Sequence, residues 1–282
     1  MPLSASYLRA RRRSRTWREG ESGGIVGKTR IKKGASLKSE AELALMREAG
    51  RIVAEVLALV ETRAKPGVST LALDRLAEDH LRGRGAIPSF KGYRGFPATL
   101  CTSINEEIVH GIPSATRILR EGDLVKVDCG AILQGWQGDA AVTLMVGSAR
   151  NGAAQLVSDT RAALDRGIAA ALAGGHVSDI GDAIERFATA RGYGVVREYC
   201  GHGIGRDLHE EPAVPNYGPR GQGPRLRPGM VVCIEPMLNA GSGETAQLAD
   251  GWTVRTADGK LSAHFEHTVA VTDRGPRVLT LP

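Results

Sequence analysis

The chain has 282 residues, 42% of them hydrophobic, which is enough to form the core of one large domain or two modest ones. No window approaches the roughly 18 consecutive apolar residues of a membrane span, and the N-terminus lacks the apolar stretch of a secretory signal. The net charge of +6 is uneven: residues 1–38 hold 11 Lys/Arg against 2 Asp/Glu, a net +9, and the remainder carries −3.

The basic segment 1–38 contains few large apolar residues, so it cannot bury enough surface to offset the entropy of ordering. We predict a disordered extension followed by a folded domain over residues 39–282. Three readings of the extension stay open: plain disorder or a start site placed too early, contact with ribosomal RNA, and an organelle transit peptide, since the segment is rich in Arg and Ser and poor in acids. A cytoplasmic location is expected.

Two helices are predicted at the start of the folded domain. Apolar residues recur at helical spacing from Leu43 to Val60, and Pro66-Gly67 ends that pattern. A second helix covers about Thr70–Arg82, with Ser69 as its N-cap. After a loop, strand-like runs end in Leu124–Asp128 and Ala140–Val146. Asp128 would end one strand and Asp139 begin the next, with Gly130, Gly135 and Gly138 between them to supply a turn.

The same order of elements then recurs. A helix over about Ala153–Ala173 is followed by one over about Asp179–Ala190, capped near Ser178, and by strand-like runs up to the C-terminus. Residues 119–128 align with residues 226–235, and each run ends in a carboxylate. The repeat predicts a pseudo-two-fold α/β domain whose acids converge near the axis.

The repeat singles out five possible metal ligands: Asp128, Asp139, His202, Glu235 and Glu266. Neighbouring carboxylates repel each other unless a cation lies between them. Four carboxylates and one imidazole suit a pair of divalent ions, with Mn, Fe or Co favoured and Zn possible, better than a thiolate zinc site. Two such ions can share and deprotonate one water, so the set predicts metal-assisted hydrolysis.

Several motifs resemble, in identity and order, the signature of type I methionine aminopeptidases, and the resemblance covers about residues 39–282. The matching segments are Leu100–Glu106, His110–Pro113, Val127-Asp128, Gly138-Asp139, Cys200–Arg206, His209–Pro212, Val214–Tyr217, Ile234–Met237 and Phe265–Thr268. The resemblance implies an α/β (α+β) pita-bread fold, in which two pseudo-symmetric halves pack helices on antiparallel sheet. It also implies removal of the initiator methionine from nascent proteins when the second residue is small.

The resemblance further implies roles for particular residues. Asp128 and Asp139 would bind one ion, His202 and Glu235 the other, and Asp139 and Glu266 would bridge the two. Glu235 would also carry protons during the reaction. His110 would lie beside the scissile amide and His209 would bond the substrate carbonyl. The methionine pocket would consist of Tyr93, Phe96, Cys101 and Trp252.

Asn105 and Ser262 match positions that help hold a structural Na⁺ or K⁺ ion in that family. Three departures from its pattern stand out. Leu208 replaces an aromatic residue, Phe96 stands where Tyr is common, and Ala140 replaces the Thr that usually follows the metal-binding Asp139.

Two other functions remain open. A prolidase or Xaa-Pro aminopeptidase shares the five ligands but normally carries a substantial N-terminal domain, for which residues 1–38 are too short. The 32 residues between His202 and Glu235 leave no room for the helical insertion of type II methionine aminopeptidases. A pseudo-enzyme that only binds nucleic acid or ribosomes would use the basic segment. We expect a monomer that acts on the N-termini of nascent chains and does not bind membranes. Contact with the ribosome through the basic segment is one of the three readings left open above.

Overall fold

The computed structural model describes residues 35–148 and 152–282, so the predicted disorder of the basic segment lies almost wholly outside the described residues. Within these ranges the chain forms four α-helices: α1 Glu40–Arg63, α2 Thr70–Gly83, α3 Ala153–Ala170 and α4 Val177–Thr189. All four were predicted from the sequence. Helix α1 begins with a capping box, in which Ser39 N donates to Glu42 at 2.8 Å and Glu42 N donates to Ser39 Oγ at 3.4 Å.

The prediction for α4 was wrong at its start. His176, not Ser178, is the N-cap, because Asp179 Oδ2 accepts a hydrogen bond from His176 N at 2.9 Å and thereby satisfies the backbone before the first turn. Helix α3 ends three residues earlier than predicted, at Ala170.

The described strands form one large sheet and two small ones. The strands are β1 Ile87–Pro88, β2 Leu100–Ile104, β3 Glu107–Val109, β4 Leu124–Leu133, β5 Trp136–Met145, β6 Gly194–Val195, β7 Gly201–Gly203, β8 Glu210–Val214, β9 Val231–Ile234, β10 Met237–Asn239, β11 Thr245–Gln247, β12 Val254–Thr256, β13 Ser262–His264, β14 Glu266–Thr272 and β15 Gly275–Val278. The large sheet has the order β1-β4-β5-β14-β9-β7-β8, with β2 paired to β4 and β15 to β14. The small sheets are β13-β10-β6 and β11-β12-β3.

The central hairpin is longer than predicted. Asp128 and Asp139 were expected at a strand end and a strand start, but both lie inside strands, and the turn is Gln134-Gly135, with φ of 50° and 76°. Gly138 has a packing role instead. A Cβ there would lie 2.6 Å from the backbone nitrogen of Gly50 in α1, so glycine lets the helix pack closely on the hairpin.

The two halves repeat the same backbone contacts. Gly67 N donates to Leu119 O at 2.8 Å, and in the second half Gly174 N donates to Leu226 O at 2.9 Å. The turns before the two central strands each use a glycine with positive φ, Gly122 at 81° and Gly229 at 88°. The pseudo-two-fold arrangement of helices on antiparallel sheet, predicted from the repeat, is confirmed.

Each half has its own apolar core, one between α1, α2 and the central hairpin and one between α3, α4 and β9. A third cluster lies between the halves and includes Phe96, Cys101, Leu208 and Cys233. No helix among the described residues is long and apolar enough to cross a membrane.

Lys38, two residues before α1, is buried against the domain. Its backbone N donates to Gly229 O at 2.7 Å, and its Nζ lies 2.8 Å from Glu210 Oε2. The last residue of the predicted extension therefore contacts the folded domain.

Candidate metal centre and active site

Strand register places three of the candidate acids on one face of the sheet. Asp128 on β4 lies opposite Ala141 on β5, and Glu266 on β14 lies opposite Ala141 from the other side. Asp139 is two residues from Ala141 on the same strand, so its side chain points to the same face. The register therefore brings Asp128, Asp139 and Glu266 together.

The second half adds its ligands to the same face. Cys233 on β9 lies opposite Thr268, two residues after Glu266, and Glu235 follows Cys233 by two residues. His202 Nε2 lies 3.7 Å from Glu235 Oε1. Candidate ligand atoms of Asp139, His202, Cys233 and Glu266 all lie within 4.8 Å of one another. The sequence prediction did not use the pairing register of these strands. That register brings Cys233, which was not predicted, into the cluster.

Burial and mutual repulsion raise the pKa values of these acids, and a bound cation would offset both effects. Burial raises the pKa of Asp128 to about 7 and that of Glu235 to about 8. The pKa of Asp139 and that of Glu266 lie well above their ordinary values, first because of burial and then because neighbouring carboxylates repel them. A divalent cation would reverse both effects by favouring the ionised form.

Hydrogen bonding points the same way. Asp128 Oδ1, Asp139 Oδ1 and Glu266 Oε1 are buried and have no hydrogen-bond partner among the described residues. Buried carboxylate oxygens are normally bonded or coordinate a metal. The donor set of oxygens with one imidazole therefore fits divalent ions.

Outer contacts orient two of these ligands. His202 Nδ1 lies 2.9 Å from Gly203 O, a bond that places the proton on Nδ1 and leaves Nε2 free for a metal. Thr268 Oγ1 donates to Asp139 O at 2.7 Å and accepts from Asp139 N at 3.0 Å. Thr268 thus holds the backbone of Asp139 in a chain that lacks the threonine expected at position 140.

A cavity of about 190 Å³ opens beside the acids. All four predicted pocket residues, Tyr93, Phe96, Cys101 and Trp252, line it. Phe96 and Trp252 pack edge to face, with ring centroids 5.1 Å apart. Leu208, one of the departures from the family pattern, also lines this cavity and is buried, so that substitution does shape the pocket wall.

Two predicted catalytic histidines face the cavity. His110 follows β3 with φ of 59°, and its ring packs edge to face against Tyr199 and Trp252. His209 Nδ1 lies 2.9 Å from the Tyr93 hydroxyl, and its ring centroid is 4.2 Å from that of His202. Burial lowers the pKa of His110, and burial followed by the charge of His202 lowers the pKa of His209 to about 3. Both rings are therefore neutral near pH 7.

Sequence reasoning missed His264, to which it assigned no role. This residue is buried and lines the cavity, its Nε2 is 4.0 Å from Glu235 Oε2, and neither ring nitrogen has a partner among the described residues. Burial lowers the pKa of His264 to about 3. Its position two residues before Glu266 was the available signal, since alternate residues of an extended chain share a face. Tyr199 and Met237 were also missed and line the same cavity.

The predicted monovalent-cation residues are bonded to each other. Ser262 N donates to Asn105 O at 3.1 Å, and the same carbonyl accepts a hydrogen bond from Lys126 Nζ at 2.7 Å.

Comparisons with known proteins agree with this site. The sequence model of metallopeptidase family M24 matches residues 44–273. A methionine aminopeptidase of Clostridium acetobutylicum is 53% identical over 245 residues, covering 87% of this chain and 98% of that protein. The crystal structure of a Thermotoga maritima methionine aminopeptidase superposes with a TM-score of 0.87 at 40% identity, over 88% of this chain and 100% of that one. A Pyrococcus horikoshii prolidase shares the fold alone, with a TM-score of 0.70 at 24% identity, over 86% of this chain and 63% of that one.

Proposed function

Because this chain belongs to metallopeptidase family M24 and to its methionine aminopeptidases, we propose that the buried acid cluster is the hydrolytic centre that removes N-terminal methionine. The observation that carries the proposal is that Asp128, Asp139 and Glu266, which the strand register brings together, each have a buried oxygen with no hydrogen-bond partner among the described residues and line one cavity. A divalent ion satisfies such oxygens, and the cavity beside it is large enough for a side chain.

We assign the ligands by position. Asp128 and Asp139 would hold one divalent ion, His202 and Glu235 the other, and Asp139 and Glu266 would bridge them. When bound, two such ions supply an activated water and polarise the substrate carbonyl. Co, Mn, Fe and Zn all suit oxygen ligands with one imidazole, and the choice among them in the cell depends on supply as well as affinity.

The chain's own residues then handle the proton and the substrate. Glu235 would take a proton from the water and deliver it to the leaving amine, since its carboxylate lines the cavity beside the other candidate ligands. Neutral His209 can donate from Nε2 to the substrate carbonyl, because its Nδ1 is engaged with Tyr93. His110 faces the same cavity from the opposite half and would contact the scissile amide.

Selection of methionine follows from the shape of the cavity. Its walls combine aromatic rings with Cys101 and Leu208. A narrow apolar pocket accepts an unbranched thioether and excludes side chains branched at Cβ. The Phe96 and Trp252 rings would define the width of this pocket.

The direct test is release of methionine from a Met-Ala-Ser peptide by the metal-free protein after addition of Mn²⁺ or Co²⁺. We expect turnover only with metal, and none from an Asp139→Asn variant that keeps the wild-type melting temperature without metal. A protein that binds ribosomes yet stays inactive with every divalent metal would contradict the proposal and favour the binding protein.

We also propose that residues 39–282 are the catalytic domain of a cytoplasmic monomer that acts on nascent N-termini. The net charge of +9 on residues 1–38 supports contact with ribosomal RNA. Co-sedimentation with ribosomes should then weaken as salt rises and disappear when residues 1–34 are removed. Retained binding after that truncation would contradict the RNA-contact role.

A further inference from the structure

A lysine is buried inside the first half of the sheet. Lys126 on β4 is 1% exposed and precedes Asp128 by two residues, on the same face. Its ammonium group donates to the backbone carbonyl of Asn105 at 2.7 Å. A buried ammonium costs free energy unless acceptors or opposite charges surround it, so the neighbours of Lys126 have to supply such groups.

Asn105 connects three parts of the fold. It lies in the turn between β2 and β3 with φ of 54°, its side-chain oxygen accepts Leu124 N at 3.0 Å, and its amide donates to Asp123 at 2.9 Å. Its backbone carbonyl accepts both Lys126 Nζ and, from β13, Ser262 N. The β2–β3 hairpin, β4 and β13 therefore meet at this one carbonyl.

A Na⁺ or K⁺ ion does not fit at this carbonyl. A carbonyl oxygen has two lone pairs, and Lys126 and Ser262 use both. A monovalent ion there would also lie next to an ammonium of the same charge. The Asn105 and Ser262 positions are thus retained from the family pattern, but their acceptor is already occupied by the chain.

The surroundings carry the charge that a cation needs. The carboxylates of Glu107, Glu106 and Asp123 favour the charged form of the Lys126 ammonium, and the guanidinium of Arg117 opposes it. Three acids therefore stand against one guanidinium around the ammonium.

We propose that Lys126 is a built-in structural cation, which replaces the monovalent ion of the family and fastens the β2–β3 hairpin to β4 at the carbonyl that β13 also contacts. His110 follows this hairpin, and β13 leads into Glu266, so Lys126 is a positioning residue for both halves of the site. The structural role of Lys126 does not involve the divalent centre, because its acceptor is the backbone carbonyl of Asn105. The positioning role rests on the proposed function.

Thermal unfolding of the metal-chelated protein in NaCl, KCl and choline chloride at equal ionic strength tests this proposal. The wild type should melt at one temperature in all three salts. Lys126→Asn should melt lower in choline chloride and regain about 5 °C in Na⁺ or K⁺, saturably, because the vacated carbonyl becomes an ion site. Lys126→Met, which keeps the volume but removes the charge, should melt lower without regaining stability. Lys65→Asn, on the exposed Lys65, is the matched control and should behave as wild type.

A second measurement, of catalysis, tests the positioning role of Lys126 separately from its effect on stability. With Mn²⁺ restored, kcat for methionine release by Lys126→Asn should rise with Na⁺ or K⁺, while that of the wild type should not respond. A saturable, ion-specific stabilisation of the wild type, or a Lys126→Met variant that melts like the wild type, would overturn the proposal. If neither variant folds, the wild-type salt series decides alone.

Discussion

The two halves of the domain share a backbone plan and use their equivalent positions differently. In the second half, His202 lies 3.7 Å from Glu235 and within the ligand cluster. Its counterpart in the first half, His110, packs against Tyr199 and Trp252 at the cavity wall. In the proposed site, one half would offer its histidine to metal and the other to substrate, although each histidine begins the same His-Gly-Ile triplet.

A second pair of equivalent positions differs more in charge. Lys126 and Cys233 each stand two residues before a metal-binding acid, Asp128 or Glu235, in the aligned runs. Lys126 directs its charge away from the acids to Asn105, whereas Cys233 Sγ lies among the acids. The repeat therefore fixes the position of each residue on its strand. The residue type then decides whether the side chain holds the fold together or faces the candidate metal centre.

The largest effect is expected at the acid of the second half. Glu235→Gln should lower kcat for methionine release by about 10³-fold, because an amide cannot carry the proton from water to the leaving amine. Measured metal content should fall only partly, since the other four ligands remain. Glu244→Gln, at an exposed position, is the control. Turnover within tenfold of the wild type would remove Glu235 from the proton path.

The two histidines test the comparison directly. His202→Ala should lose bound metal, measured by elemental analysis after dialysis, together with activity. His110→Ala should keep its metal and lose about 10²-fold in kcat, the usual cost of one missing hydrogen bond to the reacting group. Equal metal loss in both variants would mean that the halves do not divide their roles in this way.

Metal removal should make stability depend on pH. An unfolded carboxyl titrates near pH 4, and burial raises the pKa of Asp128 to about 7 and that of Glu235 to about 8. Groups with a raised folded pKa favour folding below about pH 4 and lose that contribution as pH rises through their folded values. The free energy of unfolding of the chelated protein should therefore fall by on the order of 5 kcal/mol between about pH 5 and pH 8.

Added Mn²⁺ should reverse that trend, because metal binds the deprotonated carboxylates more tightly as pH rises. Chemical denaturation at several pH values, with chelator and with Mn²⁺, measures both slopes. A chelated protein whose stability rises over this range would contradict the assignment of buried, mutually repelling acids.

Much of this fold was readable in the sequence, and the reasons are local. Helix α1 has a long amphipathic pattern and a capping box at Ser39, so both its existence and its start were predictable. The start of α4 was not, because His176 is an unusual N-cap and the carboxylate of Asp179 does the capping. Gly138 was read as a turn residue, since its role is a close contact with α1 that only the tertiary structure reveals.

The candidate site also contains residues that the sequence predicted and residues that it did not. The repeat singled out the five candidate ligand positions, because Asp128 and Glu235 end the aligned apolar runs, Asp139 and Glu266 each open a later one, and His202 stands upstream of the second run. His264 was missed although it stands two residues before Glu266, because only the fold shows that this face of the chain lines the cavity. The bond of Lys126 to Asn105 depends on a turn 21 residues away, which no spacing rule predicts.

The smallest effect is expected at the counterpart of Lys126. Cys233 Sγ lies within the ligand cluster, yet a thiol binds metal well only as the thiolate. Burial, and then the carboxylates of Glu266, Asp139 and Glu235, raise the pKa of Cys233 well above its usual value, so it stays protonated. Cys233→Ala should keep its metal content, and kcat should stay within about threefold of the wild type.

Cys129→Ala is the matched control, because Cys129 is equally buried but packs in the core of the first half. Both variants should lose about 1 kcal/mol of unfolding free energy from the small cavity. If Cys233→Ala loses metal, or if its kcat falls tenfold or more, and Cys129→Ala shows neither effect, the thiol is a ligand. The second half would then contribute a soft ligand at the position where the first half carries its cation, and the preference among divalent metals would shift towards zinc.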